Sequence, residues 1–202
     1  MKILRNGFAI VVLVAHIGLI GCGNQETSPE LMARLEFKKG VTYQSHGNLK
    51  KAGEAFNKAI FYSPQLADAY LGRGYVYLQY RNLSNALIDF NKAIELNGKL
   101  ADAHNYRGVV NIGLRDPDQA MLDFSRALQL NPNLRSAYLN RSKLNEQRQA
   151  LIASIEDLTA AINLTAQDSD LYFQRARLHI SNQDANKAID DLEKIISISN
   201  DD

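Results

Sequence analysis

The chain has 202 residues, of which 46% are hydrophobic and 22% charged, with a net charge of +1. This balance excludes a global pull toward nucleic acid or toward cations, so any partner must be read from local pattern. A single cysteine, Cys22, excludes an intramolecular disulfide.

The first segment has the layout of a secretory leader: Lys2 and Arg5, an apolar run from Phe8 to Ile20, and a close on Leu19-Ile20-Gly21-Cys22. The run is interrupted by His16 and is too short for a bilayer core, which needs about 20 apolar residues. Leu-Ile-Gly-Cys resembles the bacterial lipobox, a branched apolar residue and a small one before the cysteine that receives lipid. The resemblance implies a signal peptide over residues 1–21, cleaved after Gly21, and lipidation of Cys22. Two or three acyl chains hold a protein stably on a membrane where one does not. Residues 22–32 then form the lipidated end and a short tether. Its polar part, GNQETSP, spans about 15 Å root mean square, which keeps the rest of the chain near the lipid. The implied location is the cell envelope, on the periplasmic face of the outer membrane or the outer face of the inner one.

From residue 33 onward one pattern recurs every 34 residues. Gly40, Gly74, Gly108, Ser142 and Ala176 form one column of small residues; Ala52, Ala86, Ala120, Ser154 and Ala188 form a second. Phe56, Phe90, Phe124, Leu158 and Leu192 form a large one. The units are 33–66, 67–100, 101–134, 135–168 and 169–202. In each, apolar positions at helical spacing fall into two segments around a polar turn. In the third unit Arg115-Asp116-Pro117 makes that turn, with Pro117 at a first helical position, and Asn131-Pro132 stops the second helix. Ser63-Pro64 and Asn97-Gly98 are equivalent stops. Thr165-Ala166 is weaker, and Asp168 or Ser169 can cap the helix after it. Ten helices are expected, packed closely where the small columns let backbones approach.

The unit resembles the tetratricopeptide repeat, whose 34-residue pattern is W-x2-L-G-x2-Y, then A-x3-F, then A and P. The second unit matches it with Tyr70, Gly74, Tyr77, Ala86, Phe90 and Ala93, the third with Gly108, Ala120, Phe124, Ala127 and Pro132. Tyr70, Tyr138 and Tyr172 stand where the family has tryptophan. The resemblance covers 33–202 and implies an all-α fold, a right-handed superhelical solenoid of five tetratricopeptide helix pairs.

One departure is systematic. Where the family has leucine, this chain has Lys39, Arg73, Arg107, Arg141 and Arg175, and four units carry an acid in the second helix: Asp89, Asp123, Asp157 and Asp191. The first unit, the one with lysine, has Ala55 there. The arginines either grip an anionic ligand or form half-buried ion pairs with these aspartates, within a unit or shifted by one; a paired guanidinium has few donors left, which favours the structural role.

By the same resemblance the first helices line a concave groove. The side chains expected there are Phe37 and Val41; Leu71, Tyr75 and Leu78; Asn105, Val109 and Ile112; Leu139 and Lys143; Phe173 and Arg177, with Asp68, Asp102 and Asp170 facing the groove from the second place of their helices. Such a surface suits an amphipathic helix or an extended peptide. It lacks the lysine and asparagine set with which some family members clamp a terminal carboxylate. At the far end Ile189, Ile196 and Ile198 are expected on a face that a partner or a second copy covers. His46 falls in a turn, and His104 and His179 fall in aromatic columns without a second ligand at metal spacing. No metal, cofactor, catalytic set or nucleic-acid surface is expected. The expected function is a membrane-anchored interaction adaptor or assembly factor, with a self-assembling structural subunit as the alternative.

Overall fold

A computed structural model describes residues 28–200. The leader and Cys22 lie outside the described residues. The described chain is ten helices: α1 Pro29–Ser45, α2 Leu49–Tyr62, α3 Ala67–Gln79, α4 Leu83–Leu96, α5 Ala101–Gly113, α6 Pro117–Leu130, α7 Arg135–Gln147, α8 Leu151–Leu164, α9 Ser169–Ser181 and α10 Ala185–Asn200. They pack as five consecutive antiparallel pairs. α1 begins at Pro29, inside the stretch expected to be tether. Ser28 Oγ accepts from the Leu31 amide, and Pro29 occupies the first turn, where its missing N–H costs nothing.

The turn inside each pair has one geometry. Gly47, Arg81, Arg115, Gln149 and Gln183, spaced 34 apart, are all left-handed, with φ between 57° and 72°. In the second pair the Arg81 amide then reaches the Leu78 carbonyl and the Asn82 amide the Tyr77 carbonyl, closing the helix end. The next residue caps the following helix: Asn48, Asn82 and Asp116 accept from the amides of Lys51, Asn85 and Gln119. Ala150 has the same place before α8 and cannot cap. Asp168 precedes α9 without a capping bond, because its carboxylate pairs with Arg135 at the start of α7 instead.

The core is a row of buried rings. Phe56, Phe90 and Phe124, followed by Leu158, lie between helix pairs and are essentially inaccessible. Phe56 is held between two glycines: a Cβ on Gly40 or on Gly72 would approach its ring to 2.5 Å. In the fourth pair, Ser142 and Ser154 replace glycine and alanine; their hydroxyls bond each other at 2.8 Å and opposite carbonyls, so burial leaves no hydroxyl unsatisfied.

First helices approach one another closely, α1 with α3, α3 with α5 and α5 with α7, while among the described residues no two second helices come as near. The stack therefore curves with the first helices inside. At its far end Ile189, Leu192 and Ile196 are exposed, whereas Ile198 is buried against Leu158, Leu171 and Tyr172. The expectation that Ile198 lies on the open face is corrected: it falls on the side of α10 turned toward its own pair.

Candidate functional site

The arginine column points into the stack. Arg73 donates to Asp89 at 2.7 Å, Arg107 to Asp123 at 2.6 Å, Arg141 to Asp157 at 2.7 Å and Arg175 to Asp191 at 2.5 Å, each within its own pair. Nε joins Nη2 in each contact, the fork geometry that suits a carboxylate. The remaining nitrogen, Nη1, reaches back one unit, to Asn57, Asn91, Ser125 and Thr159. Three of the four guanidiniums also lie over tyrosines: Arg73 over Tyr70 and Tyr77, Arg141 over Tyr138, and Arg175 over Tyr172. Every arginine is thus tied on several sides and presents little to a ligand. Lys39 differs: it is exposed and pairs with Glu36 on its own helix.

Asp123 and Asp157 are the most heavily bonded members, each accepting from an arginine and an asparagine, and Asp123 also faces a histidine. Asp123 accepts from Arg107 and from Asn111 Nδ2 at 2.9 Å, with His104 Nδ1 at 3.8 Å. Burial pushes its carboxyl up, but His104 and Arg107 more than offset this and hold it below the usual carboxylate range. His104 Nε2 donates to the Gly98 carbonyl at 3.3 Å, while among the described residues its Nδ1 and that of His179 have no hydrogen-bond partner. Among the described residues no three His, Cys, Asp or Glu side chains cluster as metal ligands.

The inner surface carries two clefts in a row. Phe37 and Val41 from α1 with Leu71 and Tyr75 from α3 build the first, of about 250 Å³, which Asp68, Asp102 and Tyr106 border. Val109 and Ile112 from α5 with Lys143 from α7 build the second, of about 200 Å³, completed by Asn140 and Gln147. Tyr106 and Asn140 share a column not foreseen as groove-facing. Tyr106 turns inward because it stacks on Phe90, ring centroids 5.7 Å apart, and leans on Tyr75 at 5.3 Å.

The other expected groove residues fall elsewhere. Leu78 is half-buried against Phe90 and Val110, and Leu139 packs with Tyr138 near Leu158. Asn105 offers no surface, a correction to the expectation: it is 1% exposed, donates to Ser136 Oγ and accepts from Asn140 Nδ2. An amide with those neighbours is more stable as a link between units than facing water. Phe173 is exposed beyond the second cleft, and Arg177 is held by Glu146 at 2.6 Å.

No curated protein matches the sequence. Among solved structures, MamA superimposes with a TM-score of 0.70 at 17% identity over 84% of this chain and 92% of that one. PilF of Pseudomonas aeruginosa gives 0.75 at 18% over 84% and 77%. YrrB, described as a TPR protein with an unusual peptide-binding site, gives 0.64 at 23% over 84% and 87%. Tetratricopeptide repeat models match residues 37–101, 101–134 and 169–202, together more than half the chain. With the 34-residue period, the five helix pairs and these matches agreeing, the chain belongs to the tetratricopeptide repeat family.

Proposed function

We propose that the chain is a membrane-anchored adaptor of the bacterial cell envelope that holds a peptide or an amphipathic helix of a protein partner in its concave groove. The observation that carries this reading is the pair of clefts along the inner side, with Phe37, Leu71 and Tyr75 in the first and Val109 and Ile112 in the second. Apolar sites repeated along one surface suit the regularly spaced anchors of a helix or strand. The peptide-binding site described for YrrB supports the same use of this fold. Anchoring rests on the leader layout and on Leu19-Ile20-Gly21-Cys22. The reading is a binding module; His104 and His179 are buried in the stack, away from the clefts' linings.

Crosslinking in membranes followed by detergent pull-down tests it. A stoichiometric partner is expected with the native chain and none with Tyr75→Glu plus Ile112→Glu, which should keep the helical circular dichroism signal. Capture unchanged in that variant would move the site out of the groove. Cys22→Ser should shift the protein from the membrane to the soluble fraction; retention on the membrane would refute the lipid anchor. A second reading, self-assembly, is favoured by the exposed stripe Ile189, Leu192 and Ile196. It predicts an oligomer in sedimentation that Ile189→Glu with Ile196→Glu dissolves.

A further inference from the structure

The groove carries its charges unevenly, and that imbalance bears on what kind of peptide it takes. Asp68 in the first turn of α3 and Asp102 in the first turn of α5 border one cleft, whose lining holds no cation. Both are exposed, and among the described residues neither has an ion-pair partner. Tyr75 and Tyr106 line the same cleft, their rings 5.3 Å apart at 59°. Burial, then Asp102 and Tyr75, push the Tyr106 phenol up, so it stays a neutral donor at physiological pH.

A lysine or arginine side chain fits these three features together. Its aliphatic stem lies on apolar surface while its charged end reaches outward, aromatic faces attract the cation, and two carboxylates complete its neutralisation. An acidic side chain in the same place would meet two like charges. The second cleft is opposite in sign, with Lys143 beside Val109 and Ile112.

We propose, building on the groove reading above, that the first cleft selects a segment in which lysine or arginine adjoins a bulky apolar residue. The cation lies between Asp68 and Asp102, and the apolar side chain rests on Phe37, Leu71 and Tyr75. Lys143 then sets the direction of the bound segment, basic end on the first cleft and acidic end on the second.

The first-turn position of both acids also suits the helix macrodipole, a role that needs no ligand. Asp170 holds the same place in α9 and is not part of the cleft, so it separates the two roles.

The test is fluorescence anisotropy with the full chain in detergent and three labelled synthetic peptides on a serine-glycine host: Phe beside Arg, Phe beside Glu, and Ser beside Arg. The Phe-Arg peptide should bind about tenfold tighter than either of the others, the scale of two partly screened charge contacts. Asp68→Asn with Asp102→Asn should erase the preference for arginine over glutamate, and Asp170→Asn should leave it intact. Equal binding of Phe-Arg and Phe-Glu, or a preference that survives the double variant or is lost in Asp170→Asn, overturns the proposal. If Phe-peptide binding in those cases still requires Tyr75, tested with Tyr75→Ser, the groove reading stands; if none of the peptides binds, both fall. Circular dichroism confirms folding of each variant, which the exposed positions of Asp68, Asp102 and Asp170 and the half-buried one of Tyr75 should permit.

Discussion

Replacing Asp123 by alanine tests whether the arginine column is a structural device. The carboxylate is 2% exposed. It accepts Arg107 Nη2 at 2.6 Å, Arg107 Nε at 3.0 Å and Asn111 Nδ2 at 2.9 Å. Among the described residues the substitution leaves Arg107 with Asn91 as its only hydrogen-bond acceptor and strands the Asn111 amide. Breaking one side of a buried pair costs about 3–5 kcal/mol, a large share of the roughly 5–15 kcal/mol that a domain has. Urea titration followed by circular dichroism at neutral pH measures it. A loss below about 1 kcal/mol, the range of surface ion pairs, would refute the structural role. The pH dependence has a definite sign. Since the folded carboxyl is held below its ordinary range, its stabilisation is complete above the unfolded value of about 3.9. It is lost as pH falls through the folded value. The gap between native chain and variant should therefore hold from neutral pH down to about 4 and close below that. Arg107→Met with Asp123→Leu should recover most of the loss, because the cost lies in the orphaned charge more than in the net worth of the pair.

Two further substitutions act on the turns. Ala150 has φ −83° and ψ 65°, close to Asn48 at −83° and 71°, so Ala150→Asn should adopt the same cap on α8 and stabilise by about 1 kcal/mol; an unchanged or lower melting temperature would contradict it. Arg115 has φ 65° and Gly47 φ 72°, so Arg115→Gly should stabilise and Gly47→Ala destabilise, each by up to about 1 kcal/mol. Shifts of the same sign in the two melts would show that backbone strain is not what distinguishes these positions.

The helix pairs are legible in the sequence because close packing needs a small residue at a fixed place in every unit, and Gly40 through Ala176 keep that place with no help from their neighbours. The stops at Ser63, Asn97, Asn131 and Thr165 fall where turn chemistry puts them. The groove is less legible, since which side chain faces inward depends on what stands beside it in the next unit. Tyr106 occupies a column that holds Lys38 and Gly72 in the preceding units, so no aromatic pattern announces it; only contact with Phe90 and Tyr75 turns it into the first cleft. Asn105 sits at a place where other units line the groove, yet Ser136 and Asn140 draw it inside. The column Asn57, Asn91, Ser125 and Thr159 was open to the same 34-residue stepping that found the aspartates. Its members are small, polar and varied in type, and nothing marks them until the arginines reach them.

That last column changes what the arginines are for. A pair confined to one unit would fix only the angle between its two helices. Each guanidinium here also reaches the second helix of the preceding unit, so it couples neighbours as well. In a stack whose stability is a sum of unit and interface contributions, such a bond strengthens the interface share and makes unfolding of adjacent units more concerted. The first unit fits this account: among the described residues no helix pair precedes α1, and there the column has Lys39 bonded locally to Glu36 and Ala55 in place of the acid. Arginine on the inside and tyrosine, leucine and aspartate on the concave side thus divide the work: one column ties unit to unit, and the half-buried rings with the exposed acids beside them are left without such ties.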